Sequence, residues 1–157
     1  MTTIFAYRDA MYADSGVSDE GLVFPAAKLF RVGDAIIGTS GESCLTRVFM
    51  EQLGRGVFDP PDPPKSRDCW DFSALVLTPE GLWHYGPYFD GDQVLGIYHA
   101  IGSGGSSALA ALHALRARCE GVNPILCVEC AIKVDSYSHG PVQWMRLGEY
   151  VLHREGA

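Results

Sequence analysis

The first fifteen residues, MTTIFAYRDAMYADS (residues 1–15), place an apolar alternation directly behind two threonines. Residues 3–7 and 10–13 are rich in strand-forming types and flank Arg8-Asp9, so they predict a short β-hairpin turning at that pair. Threonines at a chain end suit the ragged start of an edge strand, because β-branched residues favour extended backbone. They also permit a chemical reading. Loss of Met1 leaves Thr2 with a hydroxyl nucleophile and a free α-amine, whose ordinary pKa of about 8 lets it take a hydroxyl proton near neutral pH.

Working outward, residues 28–32 (KLFRV) and 35–39 (AIIGT) predict a second hairpin around Gly33-Asp34. Leu45, Val48, Phe49 and Leu53 recur at helical spacing after Ser40-Gly41, with Gly54 placed to end the helix. Four prolines in RGVFDPPDPPKSRD (residues 55–68) exclude regular helix and predict an extended surface loop. Residues 72–85 predict a third hairpin turning at Pro-Glu-Gly, and residues 94–102 a further strand. After the glycine-serine run at 102–107, Ala108, Leu109, Leu112 and Leu115 share a helix face, with Arg116 and Arg118 late, where they suit the dipole. Asn123-Pro124 reads as a cap and first helical position for 125–134, although ILCV within it fits a buried strand equally well. VQWMRL and EYVLH close the chain as two expected strands. Helices segregated from hairpins predict an α+β layered sandwich of largely antiparallel sheets.

At 157 residues the chain suits one domain with a substantial core. A composition 47% hydrophobic and 20% charged excludes wholesale disorder. The net charge of -7 and the lack of any lysine-arginine run argue against nucleic-acid or anionic-membrane binding. With no signal-peptide pattern and no apolar stretch of about 18 residues, the expectation is a soluble, cytoplasmic protein. Five cysteines, an odd number in a chain this size, read as buried thiols.

Motif chemistry narrows the field. The turn at 102–105 lacks GxGxxG and GxxxxGK[ST], so it reads as a tight strand-to-helix turn rather than a phosphate cradle. Cys127 and Cys130 form a lone CxxC, the histidines are dispersed, and Asp90 and Asp92 lack a complete calcium-loop pattern, so no metal site is expected. Ser138 and His139 adjoin in VDSYSHG, but no GxSxG elbow supports a serine hydrolase.

Taken together, MTTI at the start, YADSG at 12–16, AKLFRV and AIIGTSG within 27–41, AIGSGGSSALAALHAL at 100–115 and VDSYSHG at 134–140 resemble the proteasome β-type peptidases and their bacterial HslV-like relative, among the N-terminal-nucleophile (Ntn) hydrolases. Each match is short; their order and joint presence over most of the chain carry the resemblance. It implies a four-layer αββα sandwich over residues 1–157 and a threonine peptidase acting on unfolded polypeptides without cofactor. It further implies Thr2 as nucleophile after Met1 removal, Asp14 and Lys28 as the charged pair beside it, Gly38 as oxyanion donor, and Ser103, Asp135 and Ser138 as the polar network around the threonine amine. Ala26, Ile36 and Ser40 are the implied side-chain pocket, small and aliphatic, suited to an apolar substrate residue. A homo-oligomer, in the family a ring, and an ATP-dependent unfoldase are the implied partners. The chain departs from the pattern in its short first hairpin, in His139 beside the serine, and in the Pro-rich segment 56–68 where the family has a second long helix bearing such contacts. The alternative is a catalytically silent scaffold of the same fold, since a retained Met1 would block the Thr2 amine.

Overall fold

The opening alternation becomes two strands buried on both faces. In the computed structural model, which describes residues 2–19, 21–56, 71–118 and 121–155, β1 (Ile4–Tyr7) and β2 (Ala10–Ala13) pair antiparallel, Phe5 opposite Tyr12 and Ala6 opposite Met11. Arg8 takes a positive φ of 55° in the two-residue turn between them. Ile4, Ala6, Met11 and Ala13 point one way into an aliphatic core, while Phe5, Ala10 and Tyr12 point the other way toward helices. This two-sided burial explains why the stretch is apolar almost throughout.

The hairpin is the middle of a five-stranded antiparallel sheet. β10 (Tyr98–Ile101) flanks β1, and β11 (Gln143–Arg146) flanks β2 and carries the short β12 (His153–Arg154). A second antiparallel sheet runs in chain order through β5 (Leu29–Val32), β6 (Ala35–Gly41), β7 (Phe72–Thr78), β8 (Gly81–Tyr85) and β9 (Gly91–Gln93). Leu29, Ile36, Leu75, Leu77 and Leu82 of this sheet meet Ile4 and Met11 of the first. α2 (Gly105–Ala117) and α3 (Pro124–Val134) cover the outer face of the first sheet through Ala108, Leu112, Cys127, Val128 and Ala131. α1 (Ser43–Arg55) covers the second, Leu45 and Phe49 packing on Ile37, Phe72 and Val76. Helix, sheet, sheet, helix is the layer order that the family resemblance implies.

Several boundaries differ from expectation. Gly54 lies inside α1; the helix stops at Gly56, whose left-handed φ of 69° turns its N–H back to the Gln52 and Leu53 carbonyls. The strand expected over 94–102 is confined to 98–101, because β9 and β10 belong to different sheets and the intervening residues cross between them. In EYVLH only His153 pairs. The helical reading of 125–134 holds over its strand alternative: Asn123 Oδ1 accepts from the N–H groups of Ile125 and Leu126, and Pro124 takes the first helical position. An additional hairpin, β3 (Gly16–Asp19) and β4 (Leu22–Pro25), stands outside both sheets with all four β4 residues exposed. Beyond Gly56, the Pro-rich segment lies outside the described residues, as do Cys69 and Cys119. Among the described residues no helix is long and apolar enough to cross a membrane.

Candidate active site

Asp14 leaves the end of β2 directly under the chain start, and its carboxylate has no solvent exposure. A buried carboxylate must be saturated with donors to remain charged, and this one is. Oδ1 accepts from the Thr2 hydroxyl at 2.6 Å and the Thr3 N–H at 2.8 Å. Oδ2 accepts from the N–H groups of His139 at 3.0 Å and Gly16 at 3.2 Å. The Lys28 ammonium donates to both oxygens at 2.9 Å. Burial pushes the Lys28 pKa below the ordinary lysine range, and the charge and hydrogen bonds of Asp14 oppose that fall. Thr2, Asp14 and Lys28, expected as one unit, therefore come together.

Ser103, Asp135 and Ser138 also converge. Asp135 Oδ2 accepts from the hydroxyls of Ser103 at 2.6 Å and Ser138 at 2.5 Å, and Oδ1 from the Tyr137 N–H at 3.3 Å. Partial burial raises the Asp135 pKa, but these hydrogen bonds outweigh it and the net direction is down. With the Ser138 proton directed at Asp135, the Thr3 hydroxyl donates in turn to Ser138 Oγ at 2.7 Å. Ser103 Oγ lies 3.5 Å from the Thr2 carbonyl oxygen. The network thus grips the Thr2 carbonyl and the Thr3 side chain.

The glycine-serine turn is shaped by the threonines. At Gly102, with φ of 87°, an added Cβ would overlap the Thr2 carbonyl, and at Gly104 it would overlap Thr3 Oγ1. The Gly104 N–H points at the Thr2 carbonyl at 3.4 Å. These glycines permit the close approach of the threonine backbone and side chain.

A cavity of about 320 Å³ opens beside Thr2 and Lys28, walled by Ala27, Phe30, Thr39, Ser40, Gly41 and neighbouring residues. Three expected positions lie off that wall. Ile36 is fully buried between the sheets, because it shares the inward face of β6 four residue pairs deeper than Ser40. Gly38 sits in the same core with an added Cβ meeting Met11 Sδ at 2.8 Å, and it pairs with Leu29 on one side and Leu75 on the other, away from the cavity wall. Ala26 is held outside the wall by its N–H to the Ser15 carbonyl, and its neighbour Ala27 lines the cavity instead. Ser40 lies on the wall.

Two residues were not singled out from sequence. Gly41 lines the cavity at a left-handed φ of 105°, and an added Cβ would collide with the Asp71 carbonyl. Gln143, fully buried, ties three segments together: its Oε1 accepts from the Lys28 N–H at 2.9 Å, and its Nε2 lies 2.9 Å from the Ala26 carbonyl and 3.1 Å from that of Asp14. A lone glutamine in the apolar run VQWMRL was the available signal. Among the described residues no three His, Cys, Asp or Glu side chains gather as a metal-ligand set.

The sequence matches no family model and no curated protein. Solved structures do match. BPH from Thiobacillus denitrificans aligns over 94% of this chain and 99% of its own at TM-score 0.69 and 20% identity. The same protein in complex with epoxomicin aligns over 94% and 100% at TM-score 0.68 and 19% identity. Eukaryotic HslV from Trypanosoma brucei aligns over 92% and 99% at TM-score 0.67 and 24% identity. The chain shares the fold of these proteins along nearly its whole length.

Proposed function

We propose that this chain is a threonine-type endopeptidase whose nucleophile is Thr2, exposed by removal of Met1. The observation that carries the reading is the Thr2 hydroxyl at the rim of a cavity, bonded to a buried carboxylate that Lys28 neutralises. Such a cluster buries two charges at a cost of several kcal/mol each before pairing, which a merely structural strand end does not require.

In the reaction, Thr2 Oγ1 attacks a peptide carbonyl carbon and its proton passes to the freed Thr2 α-amine, directly or through water. Lys28, held as a cation by Asp14, disfavours a second positive charge nearby and so keeps that amine unprotonated and basic. The negative charge that develops on the substrate oxygen needs a backbone donor at the cavity. Gly41 takes that role in place of Gly38, since it is the glycine of β6 that lines the wall. As the intermediate collapses, the C–N bond breaks and the departing amine takes the proton. Water then hydrolyses the threonyl ester, restoring the hydroxyl. Ser103, Asp135 and Ser138 act as positioning residues for the chain start.

An extended polypeptide has a place to pair. β5 pairs with β6 only as far as Gly38, opposite Leu29, while β6 continues through Thr39, Ser40 and Gly41. No described strand covers that edge of residues 39–41, so its backbone groups are available for strand addition by a substrate. A homo-oligomer, in ring form, fed by an ATP-dependent unfoldase in the cytoplasm, completes the proposal.

The test is peptide turnover by purified chain whose intact mass shows loss of Met1, against Thr2→Ala with circular dichroism as the fold control. Thr2→Ala removes a hydroxyl and a methyl group and should abolish cleavage with the fold retained; Ser138→Ala should reduce it less. Wild-type turnover in Thr2→Ala would refute the mechanism. A native chain that keeps Met1 and cleaves nothing would leave the silent scaffold as its function.

A further inference from the structure

The cavity beside Thr2 is lined with hydroxyl groups. At the end of β6 and the start of α1, Thr39, Ser40, Ser43 and Thr46 line it, as does Ser18 of β3. Phe30 and Ala27 supply apolar wall between them. Lys28 is the one charged side chain among the described lining residues, and its ammonium is already held by both oxygens of Asp14.

The proton inventory of that wall fixes what it can offer. Thr46 Oγ1 lies 3.1 Å from Thr39 Oγ1 and 3.4 Å from the Glu42 carbonyl, and whichever oxygen takes the Thr46 proton, the Thr39 hydroxyl keeps hydrogen-bonding capacity beyond Thr46. Ser40 is only 8% exposed, its hydroxyl bonds to no described protein group, and no fully enclosed polar atom among the described residues is left unsatisfied. Its hydroxyl therefore opens into the cavity. The wall presents donors and acceptors together and no unbalanced charge.

Each class of substrate side chain meets this wall differently. An aliphatic or aromatic group would displace water from the Thr39 and Ser40 hydroxyls, leaving Ser40 unpartnered and Thr39 with Thr46 alone. A cation would find no free carboxylate and would approach Lys28. An anion would find a lysine already neutralised. A carboxamide donates and accepts at once and carries no charge, and its methylene stem suits the Phe30 and Ala27 surface.

Resting on the peptidase reading above, we infer that this cavity selects a glutamine or asparagine side chain, on the residue whose carbonyl Thr2 attacks. Thr39, Ser40 and Thr46 are the specificity-determining residues. The small, aliphatic pocket expected from the sequence depended on Ile36, which the fold places in the inter-sheet core.

The test uses quenched peptides identical except for the residue before the scissile bond: Gln, Asn, Leu, Phe, Glu or Lys. On Met1-free enzyme, kcat/KM for Gln or Asn should exceed that for Leu by about tenfold, the equivalent of one or two well-placed hydrogen bonds. Thr46→Val keeps the shape and removes a hydroxyl, and Ser40→Ala removes another; each should bring the Gln-to-Leu ratio toward one. Preference for Leu or Phe, or a ratio unmoved by both substitutions, would overturn the inference. Calorimetry on Thr2→Ala separates selectivity from cleavage. Peptides ending in Gln should bind about tenfold more tightly than those ending in Leu, whether or not the wild-type chain cleaves any peptide. Equal binding, or tighter binding of the Leu peptide, would refute the specificity even if turnover by the threonine were established.

Discussion

Removing either partner of the Lys28–Asp14 pair should destabilise the fold, and by unequal amounts. Lys28→Met takes away the ammonium but leaves the Asp14 carboxylate with four donors: the Thr2 hydroxyl and the N–H groups of Thr3, Gly16 and His139. Asp14→Asn leaves Lys28, itself 7% exposed, with one neutral amide oxygen in place of the carboxylate that balanced its charge. It also turns an NH2 group toward one side of a site built from donors. Breaking a buried pair typically costs about 3–5 kcal/mol, largely through the charge left behind. We expect about 2 kcal/mol for Lys28→Met, where that charge stays solvated by the protein, and about 4 kcal/mol for Asp14→Asn. Urea denaturation at pH 7, with unchanged m values, reads the difference. The pH dependence adds a second check. Because burial holds the folded Lys28 pKa below its unfolded value, the unfolded chain binds the extra proton, and stability rises with pH through the window just below about 10.5. Asp14→Asn should widen that window and Lys28→Met should remove it. Equal losses for the two substitutions, or a larger loss for Lys28→Met, would refute the claim that Asp14 is independently satisfied.

Other consequences are as direct. Gly102→Ala forces a side chain at positive φ against the Thr2 carbonyl, so we expect a loss of about 1–3 kcal/mol in urea denaturation and displacement of Thr2 with loss of turnover. The His84 and His99 rings lie 5.1 Å apart where the two sheets meet. Burial lowers both pKa values, Asp92 and Asp90 opposing the fall at His84 and the His84 charge adding to it at His99. Folded values below unfolded ones mean that stability is whole above about pH 6.5 and declines as pH falls below it; His99→Gln should flatten that decline in thermal melts between pH 7 and 5. Asn123→Ala should cost about 1 kcal/mol by uncapping α3, measured by denaturant unfolding.

How far a sequence reading reaches depends on the range of the interaction it needs. The hairpins β1–β2, β5–β6 and β7–β8 announce themselves through alternation and a two-residue turn, and α3 through Asn123-Pro124, all signals a few residues long. Residues 94–97 do not, because crossing from one sheet to the other is decided by partners elsewhere in the chain. Leu22, Val23 and Phe24 form an exposed strand with no alternation to reveal it. At the site, Thr2, Asp14 and Lys28 follow from the resemblance of ordered motifs. Gly38 and Gly41 are not distinguished by type or neighbourhood; only the point where β5 stops pairing separates a core glycine from a cavity glycine. Ile36 was readable in principle, since it shares a side of the strand with Gly38. Gln143 acts through contacts to residues 115 and 129 positions away, which local pattern does not encode.

The hydroxyl of Thr3 meets that of Ser138 across 135 positions of sequence, and Asp14 closes on His139 across 125. Contacts of such span form late, since the intervening chain must be ordered before they are rewarded. During synthesis the first hairpin emerges long before residues 135–143, so the chain start lacks Asp135, Ser138 and Gln143 until the last strands dock. A ribosome-bound or truncated copy carries Thr2 and Thr3 without the late residues that bond to this region in the complete fold. If the proposed threonine chemistry holds, topology times it: reactivity would arise only on completing the fold, when the chain's own backbone is no longer an available substrate.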